Sequence, residues 1–251
     1  MEICESSSSS RKRRRGEEEA IPESQESDNS ISLEDNLIFS DTMVALRMMR
    51  AQFPRIDKVT VEPFILRSQL YSSVKDRTQV DRDLESLRRE KVLRIFKLNT
   101  GQDDHAVMFM EDYLNQMKRA VKNMEAKNKV FLRFFSELCL LLSLGGKVKD
   151  EDISLLINAG LLTRQLIDPD MYWFAIPNIG SLLKGLTQGR KEVMSVVKRK
   201  KYKEIMLVVI EKKRLRFSPL DMRFHLRDLL GSGHLISLHT PAGLVIRVVK
   251  D

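Results

Sequence analysis

The stretch "VVKRKKYKE", residues 196–204, places five cations in six consecutive positions between two apolar segments. Such a run can bind a polyanion, because each lysine or arginine that contacts a phosphate releases condensed counterions. The alternative is a solvated surface at a helix junction. A solvated helix normally intersperses acids that pair with its cations at i,i+4 spacing, and only Glu204 is available here. The pattern therefore favours a phosphate-binding surface.

The positive charge of the chain is concentrated around this run. The whole sequence has a formal net charge of +8 and a pI of about 9.5, whereas residues 184–216 alone contain twelve bases and three acids. A local excess of this kind is what a nucleic-acid footprint requires. We predict that eleven side chains contact DNA: Arg190, Lys191, Lys198, Arg199, Lys200, Lys201, Lys203, Arg214, Arg216, Arg223 and Arg227.

The residue types that perform catalysis or bind metals do not occur at suitable spacing. Because no cysteine or pair of carboxylates lies nearby at ligand spacing, a structural role is predicted for all four histidines: His105, His225, His234 and His239. Cys139 lies in the apolar run "ELCLLLS" and is predicted to be core. Trp173, next to Tyr172, is predicted to be the core aromatic of its strand. The sequence predicts neither a metal nor a cofactor.

Residues 1–39 are predicted to form a disordered tail, since blocks such as "SSSSS" and "EEE" offer too little apolar surface to offset the entropy of ordering. Within the tail, five residues have the form of a nuclear import signal: Arg11, Lys12, Arg13, Arg14 and Arg15. A nonspecific nucleic-acid arm, or no role, are the alternatives. No secretory signal is visible, and the longest uncharged apolar run is too short to span a bilayer. We predict a nuclear protein without membrane contact.

Three segments of the remaining chain repeat one pattern, an amphipathic helix followed by two β-like stretches that a polar turn joins. In the first helix, Val80, Leu84 and Leu87 recur at spacings of four and three, which places them in one buried stripe. The hairpin turns contain "NTGQDD", "DPD" and "TPAG". The first strands are predicted to start at three positions: Val92, Leu161 and His234. Starts 69 and 73 residues apart suit a small autonomous domain.

Further helices are predicted ahead of each hairpin, including "SDTMVALRMMRAQF" in the first segment and "RKEVMSVVKRK" in the third. The run "IMLVVI", residues 205–210, is predicted to be a helix, with a buried strand as the alternative. Three helices followed by a two-stranded wing describe a winged helix, and other small α+β domains also contain such units. The predicted fold is α+β and mainly helical, with three tandem winged-helix domains, each ending in a β-hairpin wing, at residues 40–111, 112–177 and 178–251.

This organisation assigns roles to the basic residues. The third domain carries the basic run and is predicted to be the main DNA-binding domain. Arg223 and Arg227 lie four apart on its recognition helix, where they can face the major groove. A second, weaker contact is predicted in the first domain at Arg77, Arg82, Arg88 and Arg89. The acidic helix "DEDISLLINAG" of the second domain is predicted to serve architecture or protein contacts.

Several stretches resemble the family named serine/threonine-protein kinase 19, notably "FPRIDKVTVEPFILRSQLYSSVKDRTQVDRDLESL" and "YWFAIPNIGSLLKGLTQGRKEVMSVVKRKKYKE". The resemblance extends from about Ala45 to Val249. It implies a nuclear protein of three winged helices that binds double-stranded DNA and associates with chromatin. It also implies a role in transcription-coupled nucleotide excision repair, as a scaffold among repair factors. Animal members pair two tryptophans where this chain has Tyr172 and Trp173.

The residues needed for phosphoryl transfer are missing despite that family's name. The sequence contains no GxGxxG flap, no VAIK-like strand, and neither HRD nor DFG. We therefore predict a non-enzymatic protein that binds duplex DNA with weak sequence preference, because lysine-rich contacts position phosphates and do not read bases. The alternative is a scaffold whose wings bind repair or transcription proteins, with DNA secondary. A homodimer is left open.

Overall fold

The computed structural model describes residues 40–56, 61–101, 104–122, 149–165 and 172–249. The import signal at residues 11–15 and the core role of Cys139 are predictions that lie outside these ranges. Within the described ranges, no helix combines the length and apolar character needed to cross a membrane.

The first sheet and its helices follow one another in the order of a winged helix. The elements are α1 Asp41–Ala51, β1 Ile65–Leu66, α2 Arg67–Ser73, α3 Arg77–Arg89, β2 Leu93–Lys97 and β3 His105–Phe109. Strand β3 is central, with antiparallel partners β1 on one side and β2 on the other. The β2–β3 hairpin is the one predicted to be a wing, and the two-residue β1 pairs with the other edge of β3.

Helix α3 shows why the sequence pattern predicts its element correctly. The Asp76 carboxylate accepts hydrogen bonds from the backbone N–H groups of Thr78 and Gln79, which caps the N-terminus. Val80, Leu84 and Leu87 are buried as one stripe, as predicted. The hairpins of the three segments begin at Leu93, Leu162 and Leu235, each one residue after its predicted start. The predicted period is therefore retained.

The middle segment contributes α4 Met110–Lys122, α5 Asp150–Asn158, β4 Leu162–Arg164 and β5 Tyr172–Phe174. Strands β4 and β5 pair antiparallel. The prediction that Trp173 is the core aromatic is wrong, because its side chain is 38% exposed. Neighbouring residues of a strand point to opposite faces, and here Tyr172 and Phe174 pack against the core instead.

The third segment repeats the order of the first. Its elements are α6 Gly180–Lys198, β6 Glu204–Met206, α7 Leu207–Glu211, α8 Met222–Gly231, β7 Leu235–Thr240 and β8 Gly243–Val248. The sheet order β6–β8–β7 again places the last strand in the centre. The run "IMLVVI" changes conformation at Met206, so the strand alternative holds for its first two residues and the helix prediction for the rest.

Three clusters of buried side chains hold these elements together. One lies within the first segment and another within the third. The largest cluster joins all three segments and includes Phe64, Tyr113, Ile176 and Phe224. The Phe64 and Phe224 rings, 160 positions apart in sequence, meet edge to face with centroids 5.8 Å apart. The chain from Ile38 onward consequently forms one compact unit.

Buried amide side chains satisfy backbone groups where these segments meet. Gln69 accepts a hydrogen bond from the Leu66 backbone N–H and donates to the Phe224 carbonyl, both at 3.0 Å. Gln116 donates to the Pro177 carbonyl at 2.9 Å. Because buried polar groups are costly without partners, these bonds favour one arrangement of the segments.

Candidate nucleic-acid interface

The predicted basic run forms a turn and not a helix. Helix α6 ends at Lys198, and the backbone N–H of Lys203 donates to the Lys200 carbonyl at 2.9 Å. Lys203 has a φ of 53°, a left-handed conformation that leads directly into β6. The helix predicted over "RKEVMSVVKRK" therefore ends two residues before its predicted end. The turn nevertheless exposes every cation of the run to solvent.

A second group of exposed cations follows α7. Four side chains belong to it, all in the loop after Glu211: Lys212, Lys213, Arg214 and Arg216. Part of this loop lines an open groove that extends to Arg223 at the start of α8. We call the exposed cations of residues 198–203 and 212–216 together the basic surface. It contains seven of the eleven predicted contacts, and Lys191 is exposed on α6 beside it.

Each of the three acids within residues 184–216 already has a partner. For two of them the partner is a side chain outside the basic surface, and for the third it is the backbone of the loop after α7. The Glu192 carboxylate accepts hydrogen bonds from the backbone N–H groups of Arg216 and Phe217. Glu204 pairs with Arg247 at 2.6 Å, and Glu211 lies 3.6 Å from Arg223. Among the described residues, no carboxylate forms an ion pair with a cation of the basic surface. Its charge is therefore not neutralised within the described fold.

Arg190 is an exception among the predicted contacts. Its side chain is only 19% exposed, and its guanidinium donates to Asp228 and to Asp104, each at 2.6 Å. Burial lowers the pKa of Arg190. Its hydrogen bonds to Asp228 and Asp104 raise the pKa by more than burial lowers it, so the net shift is upward. Burial likewise raises the pKa of Asp104, whereas bonds from Arg190 and Thr100 bring it below its usual value. The charge of Arg190 is thus neutralised by Asp104 and Asp228 within the fold and is not available to a phosphate.

The predicted recognition helix α8 is largely covered. Its residue Asp228 is fully buried and accepts a hydrogen bond from Ser68 of α2 at 2.6 Å. Arg227 donates to the Gln52 side chain and is partly buried. Arg223 is 66% exposed. Of the two arginines expected to face a major groove, only Arg223 is mainly exposed, beside Glu211, because the first segment packs on the rest of this helix.

Three of the four arginines of α3 that were predicted as a second contact are engaged with their neighbours, whereas Arg82 is exposed. Arg88 and Arg89 both donate to Glu85, and the bond from Arg88 is the main cause that lowers the pKa of Glu85 to about 2. Arg77 donates to the Gly231 carbonyl at 3.2 Å. These pairings make the first segment a weaker candidate for phosphate contact than the basic surface.

Two features of this surface are absent from the sequence prediction. One is the tether between Glu192 and the loop after α7, which joins residues 24 and 25 positions apart and follows no local periodicity. The other is the exposure of Phe217, at 65%. The sequence does contain a signal for this exposure: Phe217 stands between Arg216 and the "SP" of a loop, and no apolar periodicity includes it.

His225 has the structural role that was predicted for it. Its Nε2 lies 2.8 Å from the Ser218 hydroxyl, whereas its buried Nδ1 has no partner. Burial lowers the pKa of this imidazole to about 4. In the part of the chain that the structure describes, no group of three or more His, Cys, Asp or Glu side chains could hold a metal ion.

Comparison with known proteins agrees with this architecture. A family model described as inactive serine-threonine protein kinase 19 matches residues 31–248. The human protein named winged helix repair factor 1 is 32% identical over 207 residues, which cover 78% of this chain and 81% of the human one. The proteins of that name from Xenopus laevis and Dictyostelium discoideum are 30% and 24% identical, over 81% and 91% of this chain and 82% and 70% of theirs. The chain belongs to the family described as inactive serine-threonine protein kinase 19.

Proposed function

We propose that this protein is a non-enzymatic, nuclear, double-stranded-DNA-binding protein that acts on chromatin in transcription-coupled nucleotide excision repair. The relatives' printed name, winged helix repair factor 1, supports the repair assignment. We also propose that the chain is organised as three winged-helix units at residues 40–111, 112–177 and 178–251, with DNA binding chiefly in the third. Its partners are duplex DNA and transcription-coupled repair proteins.

The observation that carries DNA binding is the uncompensated charge of the basic surface. Its cations are exposed on a hydrogen-bonded turn and a tethered loop, and among the described residues no acid forms an ion pair with them. Like charges held this close repel one another, and phosphates relieve that repulsion with release of counterions. Lysine is the commoner cation of the turn, so we expect the contacts to position the backbone and not to read bases.

The test is charge reversal at four positions of the turn: Lys198, Arg199, Lys201 and Lys203, each to Glu. We expect the parent to bind a random duplex with a slope of log K against log salt of roughly −4 to −5, for four to six phosphate contacts. The variant should lose most of this affinity with its melting temperature unchanged, because these side chains are exposed. Fluorescence anisotropy at several salt concentrations measures both slopes.

A control variant reverses the same number of charges elsewhere on the surface. Four exposed cations of the first two segments suit it: Arg47, Lys75, Lys97 and Lys118. It matches the change in net charge, so equal losses in both variants would mean that only the overall charge matters. Parental affinity in the turn variant would show that the basic surface is merely solvated. The protein-interaction scaffold would then be the better hypothesis.

A further inference from the structure

Two large aromatic side chains lie exposed among or directly beside the cations of the basic surface. Tyr202 is 69% exposed within the cationic turn, and Phe217 is 65% exposed in the loop after α7. Lys201 lies over the Tyr202 ring, with its Nζ 5.4 Å from the ring centroid. An intact duplex offers phosphates to the cations but covers the faces of its bases, so duplex binding alone does not explain two uncovered rings.

The backbone that carries Phe217 is held on both sides. Its own N–H and that of Arg216 donate to the Glu192 carboxylate, at 3.3 Å and 3.1 Å. The next residue, Ser218, is bonded to the buried His225. A loop anchored in this way presents its ring in a defined position, and little additional entropy is lost when a ligand stacks on it.

The backbone that carries Tyr202 is equally well anchored. The turn before it continues from α6, and the Lys203 carbonyl accepts a hydrogen bond from the Val248 backbone N–H at 3.1 Å. Glu204 then enters the sheet opposite Arg247. The exposed tyrosine therefore belongs to ordered structure.

Helix α6 relates the two aromatic residues. Glu192, which tethers Phe217, and Arg199, which caps the helix three positions before Tyr202, are seven residues apart. Seven residues make almost two full turns, so both lie on one side of the helix with a rise of roughly 10 Å between them. Helix α6 thus continues directly into the turn that carries Tyr202 and, through Glu192, holds the loop that carries Phe217.

We propose that Tyr202 and Phe217 stack on unpaired bases, so that the basic surface binds DNA with a short unpaired region more tightly than intact duplex. This inference rests on the proposed DNA-binding function and deepens it. Aromatic rings beside cations are the arrangement that holds single strands, since cations follow the backbone and rings accept any base. The unneutralised cations around both rings favour a polyanionic ligand over an apolar protein surface.

The test uses the full-length protein and two probes, a short duplex and the same duplex with a central bubble of unpaired bases. We expect the parent to prefer the bubble. Tyr202→Ser and Phe217→Ser should each weaken bubble binding roughly tenfold, with duplex affinity and salt slope unchanged. Tyr202→Trp should retain the preference because the indole also stacks. Val44→Ser removes an apolar side chain that is 50% exposed on α1, and it should change neither affinity.

A second readout reports stacking directly. With 2-aminopurine in the bubble, the parent should quench its emission on binding, and the doubly substituted variant should quench much less. Equal bubble affinity and equal quenching in parent and double variant would overturn the inference and assign the two rings to a protein partner. Failure of the proposed function looks different, because the parent would then bind neither probe in a salt-dependent way.

Discussion

Gly231 of α8 lies so close to the Ser68 carbonyl oxygen of α2 that a Cβ atom at position 231 would overlap it. The approach is possible only for glycine, since the obstacle is backbone and cannot rotate away. It places the C-terminal half of α8 directly on the first segment. Two further contacts of the same helix join the same pair of segments: Ser68 to Asp228 and Gln69 to Phe224.

Gly231→Ala should destabilise the protein by about 1–3 kcal/mol, because the helices must move apart. Intrinsic helix propensity alone predicts the opposite, a gain of up to about 1 kcal/mol for alanine. Urea unfolding distinguishes the two signs. Gly180→Ala is the matched control, since no atom lies within 4 Å of its Cβ position, and we expect it to be neutral or slightly stabilising. Parental stability in Gly231→Ala would contradict the close packing of α8 on α2.

Arg190→Met should destabilise the protein by about 3–5 kcal/mol, because it leaves the buried Asp228 carboxylate without its cation. Lys191→Met, at the next position but exposed, should change stability by less than about 0.5 kcal/mol. It should instead reduce the salt slope of duplex binding by about one, provided that Lys191 contacts a phosphate. Thermal unfolding and salt titration of both variants separate the two roles. A stable Arg190→Met with a flatter slope would restore Arg190 as a DNA contact.

His225 should make the protein less stable in mild acid. The pKa of this imidazole is about 4 in the folded chain and 6.5 ordinarily, so the unfolded chain binds the proton first as pH falls. Its contribution to stability is complete above about pH 6.5 and is lost between there and pH 4, by about 3 kcal/mol. A proton on Nδ1 would also lie buried without an acceptor.

Unfolding free energies from pH 7 to pH 4.5 test this. His225→Gln should lose part of the pH dependence of the parent, whereas His239→Gln, an exposed histidine of β7, should keep it. The comparison matters because carboxylates titrate in the same range and contribute to every variant. Identical slopes in the parent and in His225→Gln would show that the imidazole takes no part.

Replacement of Arg13, Arg14 and Arg15 by alanine should move the protein from the nucleus to the cytoplasm, since importin recognition needs the clustered charge of this run. The melting temperature should not change, because these residues precede the compact unit that begins at Ile38. Microscopy of a tagged chain measures the distribution. The run "KRKK" at residues 198–201 is a second basic cluster, so the tail variant is compared with one that lacks both. If the tail variant and the variant that lacks both runs still accumulate in the nucleus, neither run is the import signal.

Local sequence patterns are enough to predict most of the elements and the location of the charge. The stripe of Val80, Leu84 and Leu87, the turns of the hairpins and the excess of bases in residues 184–216 all depend on neighbours within a few positions. Hydrophobic periodicity indicates which face of an element is apolar, and composition indicates where charge is concentrated. Both are local quantities, which explains why strand starts were predicted to within one residue while the face of Trp173 was not.

Which of the basic residues remain available for a ligand depends on how the chain folds. Arg190 and Lys191 are adjacent in sequence, yet one is held between Asp104 and Asp228 and the other is exposed. The bonds that bury Arg190 cross 86 and 38 positions. No local pattern encodes such a pairing, because it depends on how α6, α8 and the β2–β3 hairpin pack. That packing follows from side-chain shapes and buried hydrogen bonds that form only once the chain has folded.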